Sequence, residues 1–79
     1  MPKLKILSGE DVIQIFKKFG FLIFHQRGSH VKLARTLADG SRQTLTIPNH
    51  TELDKGTIKA LYRQGLGYIS EAELRGFFY

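Results

Sequence analysis

The 79-residue sequence contains no cysteine, which excludes a disulfide framework and a thiolate metal site and is typical of a reducing compartment. It also lacks long hydrophobic runs: the longest, at residues 21–24, is far too short to span a bilayer. No apolar segment of the signal-peptide type follows Lys3 and Lys5. We therefore expect a soluble cytoplasmic protein without membrane contact.

Acidic residues are scarce relative to basic ones. Seven Asp and Glu stand against twelve Lys and Arg, so the formal net charge is +5. This excess favours polyanionic partners, nucleic acid first among them. A chain of this length forms a single domain, residues 1–79, with a modest core, which argues against a large enclosed substrate cavity.

The order of local signals predicts an α-β-β-β-α arrangement with a helical tail. Ser8 and Asp11 precede an apolar helical pattern and predict a helix over 9–19, ended by Gly20. Three runs rich in β-branched and aromatic residues predict an antiparallel meander at 21–26, 30–37 and 42–47. Helical periodicity returns over 54–64, and Ser70 with Glu73 predicts a short last helix.

The register of each hairpin follows from pairing apolar residues with apolar residues, since a slip of one residue sends every side chain to the other face. In the first hairpin, a loop at 27–28 pairs Phe24 with Val31 in the core and places His25 across from His30.

The second hairpin is predicted to have a three-residue loop at 38–40, with Gly40 in the left-handed conformation. This loop pairs Leu33 with Leu45 and Val31 with Ile47.

The sheet face away from the helices is therefore expected to be polar and to carry the chemistry of the protein. It is predicted to present His25, His30, Lys32, Thr44 and Thr46, with His50 just beyond the third strand. Because antiparallel neighbours have Cβ atoms about 4.5–5.5 Å apart, this cluster is within reach of one phosphate or one water.

RNA cleavage without a metal suits this cluster. It needs a base for the 2′-hydroxyl proton, an acid for the departing 5′-oxygen and a cation near the phosphate. Imidazole can take either proton role near neutral pH, which makes His30, at the Gly28-Ser29-His30 turn, the candidate catalytic residue. The supporting candidates are Arg27, Ser29, Lys32, His25 and His50. Three histidines could instead bind a metal, but no carboxylate accompanies them on this face, so neither metal nor cofactor is predicted.

Lys55, Lys59 and Arg63 recur every four residues along the second helix. Such a row can follow an RNA backbone, or it can be a solvated helix face. Among the aromatic residues, Phe16, Phe19 and Phe24 are expected in the core. The run at 77–79 either covers the edge of the core or forms an exposed patch for a partner.

Three motifs, in order, resemble one protein family. They are Arg27-Gly28-Ser29-His30, Thr46-Ile47-Pro48-Asn49-His50, and Lys55-Gly56-Thr57-Ile58 with Arg63-Gln64 and Gly67. Over about residues 6–74 the chain resembles the HicA family of toxin mRNA interferases. The chain departs from the family pattern at two places. Lys55 stands where relatives often have proline, and the tail after Ser70 ends in aromatic residues. Because of this tail, the sequence predicts no particular oligomeric state.

The resemblance implies a double-stranded-RNA-binding-domain-like fold and ribonuclease action on mRNA, with His30 as the catalytic residue. It also implies inhibition by a HicB-type antitoxin that covers His30. Two alternatives come from other functional classes: a non-catalytic RNA-binding module that recognises A-form shape, and an interaction domain whose sheet face docks another protein.

Overall fold

The computed structural model describes residues 3–79 and confirms the predicted α+β, double-stranded-RNA-binding-domain-like order of elements. The elements are α1 (Gly9–Lys18), β1 (Leu22–Arg27), β2 (His30–Thr36), β3 (Arg42–Pro48), α2 (Lys55–Leu66) and α3 (Glu71–Phe78). Within this described range, no helix has the length and apolar character needed to cross a membrane.

Local capping fixes the ends of α1. The Ser8 hydroxyl accepts the backbone N–H of Asp11 at 3.0 Å, and the Asp11 carboxylate accepts the N–H of Ser8 at 2.9 Å. This reciprocal pair satisfies two backbone donors that the first helical turn leaves without partners. Gly20, with φ +92°, follows the last turn and redirects the chain into β1, as predicted.

The three strands form an antiparallel sheet in the order β1-β2-β3. The second hairpin has the predicted register, with Leu33 opposite Leu45 and Val31 opposite Ile47, all buried. The 38–40 loop is closed by the N–H of Leu37, which donates to the Ser41 carbonyl, and Gly40 has φ +87°.

The predicted register of the first hairpin is wrong. The loop is Gly28-Ser29, so Arg27 pairs with His30, and His25 pairs with Lys32 instead of His30. A β-bulge between Ile23 and His25 then shifts the rest of β1 by one residue. All six residues of β1 are exposed, so the apolar side chains used to set the register have no buried face to select it.

Phe24 is therefore not a core residue, contrary to expectation: its side chain is 50% exposed. Phe21, which precedes β1, is fully buried and packs edge-on against Phe16 at a centroid distance of 5.8 Å. Of the C-terminal aromatic run, Phe78 is fully buried and its two neighbours pack against the core. The tail thus covers the edge of the core.

Arg35 ties the helical layer to the sheet. Its guanidinium donates to the carbonyls of Phe19 and Tyr68 at 2.8 and 3.0 Å and to the Gln43 side chain at 2.7 Å, and it lies over the Phe21 ring. These contacts use the fork of donors that only arginine has. Arg35 is therefore engaged within the fold.

Candidate active site

Within residues 3–79 the helices pack against one face of the sheet, and we call the opposite face the open face. Val31, Leu33, Leu45 and Ile47 point from the sheet into the core, so alternation places their strand neighbours on the other side. Strand pairing assigns residues to the open face, and the contact of Phe24 with Arg42 adds Phe24. The open face comprises Leu22, Phe24, His25, Arg27, His30, Lys32, Ala34, Thr36, Arg42, Thr44, Thr46 and Pro48. Three of these are Lys or Arg, two are His, and none is Asp or Glu.

His30 lies at one end of the open face. It is the first residue of β2, it is exposed, and it pairs with Arg27 on one side and Pro48 on the other. The preceding loop is two residues long, and Gly28 occupies its first position with φ +59°. Glycine suits this position because other residues rarely adopt positive φ, and a turn this short fixes the direction of the next strand.

The segment after β3 supports the turn before His30. The N–H of Asn49 donates to the Ser29 carbonyl at 2.7 Å, and His50 Nε2 lies 3.3 Å from Ser29 Oγ. The His50 carbonyl in turn accepts the N–H of Gly9 at 2.8 Å. A chain of contacts therefore runs from the start of α1 to the residue adjacent to His30.

Lys32 and His25 occupy the next position along the sheet. Lys32 follows His30 by two residues on the same strand and face, a separation of about 6–7 Å. His25 lies opposite Lys32, which makes it a diagonal neighbour of His30 at about 7–8 Å. Arg27, and not His25, is thus directly across from His30, and the candidates predicted on the sheet share one face.

The helical row lies elsewhere. Lys55, Lys59 and Arg63 are exposed on α2, whose buried residues pack into the core on the other side of the sheet from the open face. Lys55 and Lys59 border an open groove with Lys3, Leu4, Ile6 and Tyr79. The structure therefore places the predicted RNA-binding row on a different layer from His30.

Phe24 and Arg42 are two residues of the open face that the sequence pattern does not identify. The Arg42 guanidinium lies over the Phe24 ring at 4.9 Å from its centroid, and both side chains are on the open face. The β-bulge explains this position, because without it the Gly28-Ser29 loop would pair Phe24 with Leu33 on the core side of the sheet; no signal in the sequence marks the bulge.

Carboxylates are sparse around the histidines. Glu10 borders a shallow pocket with Ser8, Asn49, His50 and Thr51. Across residues 3–79, no group of three His, Cys, Asp or Glu side chains is arranged to hold a metal ion.

Comparison with protein families gives a match that spans the whole α1-to-α2 unit. The family described as the HicA toxin of bacterial toxin-antitoxin matches residues 9–66. The chain belongs to the HicA toxin family. All candidate site residues lie inside the matched range, whereas α3 lies outside it. No curated protein sequence matches this HicA chain. Membership of the family implies the toxin role in a toxin-antitoxin pair.

Proposed function

We propose that this HicA toxin is a metal-independent endoribonuclease that cleaves mRNA by histidine acid-base catalysis. The observation that carries the proposal is the position of His30: it is exposed at a fixed two-residue turn, on a face that has cations and no carboxylates. A polyanionic strand can approach this face without meeting a negative side chain.

The reaction uses groups that this face supplies. A neutral imidazole takes the proton of the 2′-hydroxyl, the 2′-oxygen bonds to phosphorus, and the bond from phosphorus to the 5′-oxygen breaks. An acid protonates the departing 5′-oxygen, which gives a 2′,3′-cyclic phosphate and a 5′-hydroxyl. His30 performs one of these proton transfers, and Arg27 and Lys32 stabilise the charge on the phosphate.

The other two histidines take different roles in this proposal. His50 approaches the Ser29 hydroxyl through its Nε2 atom and is a positioning residue for the turn. His25 lies on the open face, diagonal to His30, and is the imidazole placed to exchange the second proton. The α2 row of Lys55, Lys59 and Arg63 attracts the RNA backbone from the helical layer.

The inhibition of the toxin by an antitoxin, and the cell compartment in which the toxin acts, follow from this proposed ribonuclease function. A toxin whose substrate is mRNA acts in the cytoplasm, and a HicB-type antitoxin that covers His30 would block access of RNA to the open face. Because His30 projects from the sheet surface and not from a deep cleft, a protein surface can cover it directly.

The test is cleavage of single-stranded RNA in EDTA by the purified full chain. We expect His30→Ala to lower the rate by about 10²–10⁴, the usual contribution of a positioned acid or base, with little change in RNA affinity. Gln64→Ala is the control, because Gln64 is an exposed, uncharged residue of α2, in the helical layer and away from the turn before His30. Expression of the wild-type chain should arrest growth, and His30→Ala should relieve this.

Cleavage that survives His30→Ala would refute the assignment, and activity lost on chelation would require a metal. Binding of RNA without cleavage by the wild-type chain would instead identify a non-catalytic RNA-binding module, which the basic open face also suits.

A further inference from the structure

The β-bulge in β1 exposes an aromatic ring on the open face. Phe24 is the extra residue between Ile23 and His25, and its side chain is half exposed. An exposed phenylalanine is costly in water, and a bulge is the usual device by which an edge strand redirects one side chain. The ring is therefore held on the surface by the backbone itself.

The surroundings of the ring favour one kind of ligand. The Arg42 guanidinium lies over Phe24 at 4.9 Å, and the next residue along β1, His25, pairs with Lys32. A nucleobase can stack on such a pair of planar groups, while nearby cations hold its phosphates. With no carboxylate on the open face, its cations attract the phosphates of an RNA strand without opposing repulsion, and the aromatic ring adds a contact for a base.

The ring is also at a useful distance from His30. Phe24 is three residues along β1 from Arg27, which pairs with His30, so the two sites are about 11 Å apart. A nucleotide close to the reacting phosphate can span this separation. Bases of a continuous duplex cannot leave the helix to stack on a protein ring without unpairing.

We propose that Phe24 and Arg42 form a nucleobase-stacking subsite, which binds an unpaired nucleotide next to the phosphate held at His30. The inference deepens the proposed ribonuclease function and rests on it for the role of His30. It assigns the open face to single-stranded RNA and makes Phe24 a residue that positions the substrate.

The chain has no tryptophan, so Phe24→Trp introduces a single selective fluorophore at the subsite. The full-length chain also carries His30→Ala, so that the RNA stays intact. Titration with a short single-stranded RNA of mixed sequence should quench the indole to saturation, and the same RNA annealed to its complement should quench it much less. Leu37→Trp, partly exposed beside the 38–40 loop and outside the open face, is the control that should stay unquenched.

Substitutions in the His30-containing chain give an independent measurement. Phe24→Ala and Phe24→Leu should each raise KM for single-stranded RNA by about 5- to 150-fold, the effect expected for loss of one stacked base, whereas Phe24→Tyr should retain wild-type KM. Ile23→Ala, which removes a neighbouring exposed apolar side chain, should leave KM unchanged.

These outcomes separate the inference from the proposed function. RNA binding by fluorescence anisotropy without indole quenching, or equal quenching by duplex, would overturn the subsite while cleavage by the wild-type chain still stands. Quenching with no cleavage would support the subsite and refute the ribonuclease. Self-association that Phe24→Ala abolishes, with no quenching by RNA, would assign the ring to a second copy of the chain and overturn the proposal.

Discussion

Replacing Gly9 with alanine should destabilise the fold and disturb the turn before His30. Gly9 is the first residue of α1, is buried, and donates its N–H to the His50 carbonyl. A Cβ atom at this position would lie 2.5 Å from the Cα of Asn49 and closer still to the Pro48 carbonyl oxygen. Both neighbours are backbone atoms, so the helix and the 48–50 segment must separate.

The expected magnitude comes from two opposed effects. Overpacking against backbone costs about 1–3 kcal/mol, whereas alanine gains less than about 1 kcal/mol over glycine in helix propensity. The net loss of about 1–2 kcal/mol lowers the Tm of a domain this size by about 4–16 °C. Gly76→Ala is the matched control: in α3, a Cβ atom there meets no heavy atom within 4 Å, so the same change should stabilise by about 0.5–1 kcal/mol.

The assay is urea denaturation of both variants, followed by RNA cleavage at a temperature at which each is folded. Gly9→Ala should cleave more slowly than wild type, because the displaced segment holds Ser29 through its carbonyl and hydroxyl. Gly76→Ala should cleave at the wild-type rate. Equal stability of the two variants would refute the packing argument. A destabilised Gly9→Ala with full activity would refute the coupling between α1 and the turn.

Two further predictions concern charge. Lys59→Ala should weaken binding of all RNA sequences alike, without changing the cleavage rate at saturating RNA. The slope of the logarithm of the binding constant against the logarithm of salt concentration should decrease in magnitude by about one. An unchanged slope would show that the α2 row is a solvated helix face. The N–H of Thr57 donates to the Asp54 carboxylate at 2.7 Å, and this hydrogen bond lowers the pKa of Asp54. The ionised Asp54 carboxylate therefore stabilises the fold at pH values above the usual pKa of aspartate, and this stabilisation is lost as the pH falls through the lowered pKa. Between pH 7 and about pH 3, the free energy of unfolding measured in urea should decrease more for wild type than for Asp54→Asn.

The sequence suffices to predict those elements whose signals agree with burial. The Ser8 cap, the apolar spacing of α1 and the Gly20 stop all specify one helix. In the second hairpin, two buried pairs across β2 and β3 leave a single register that keeps both in the core.

The first hairpin shows why apolar pairing can fail. β1 is an edge strand with no buried residue, so a change of its register changes the buried apolar area little. The register is set instead by the turn, where Gly28 takes positive φ. His50 and Ser29 are 21 positions apart in the sequence. Their contact could not be predicted because it depends on the path that the chain takes after β3. The position of His30 on the open face could be predicted because it depends only on the turn and on alternation along β2.

In the proposed function, the two basic surfaces of the domain would attract RNA in physically different ways. The α2 row acts from the helical layer, where its effect on a strand near His30 is long-range and screened over about 10 Å at 0.1 M salt. Arg35, bound within the fold, contributes to neither surface. Stacking on Phe24 releases no counterions, unlike a phosphate contact. The part of RNA binding that depends on Phe24 should therefore persist at a salt concentration that removes the part due to Lys59. Such a result would assign positioning at His30 to the open face and general attraction to α2.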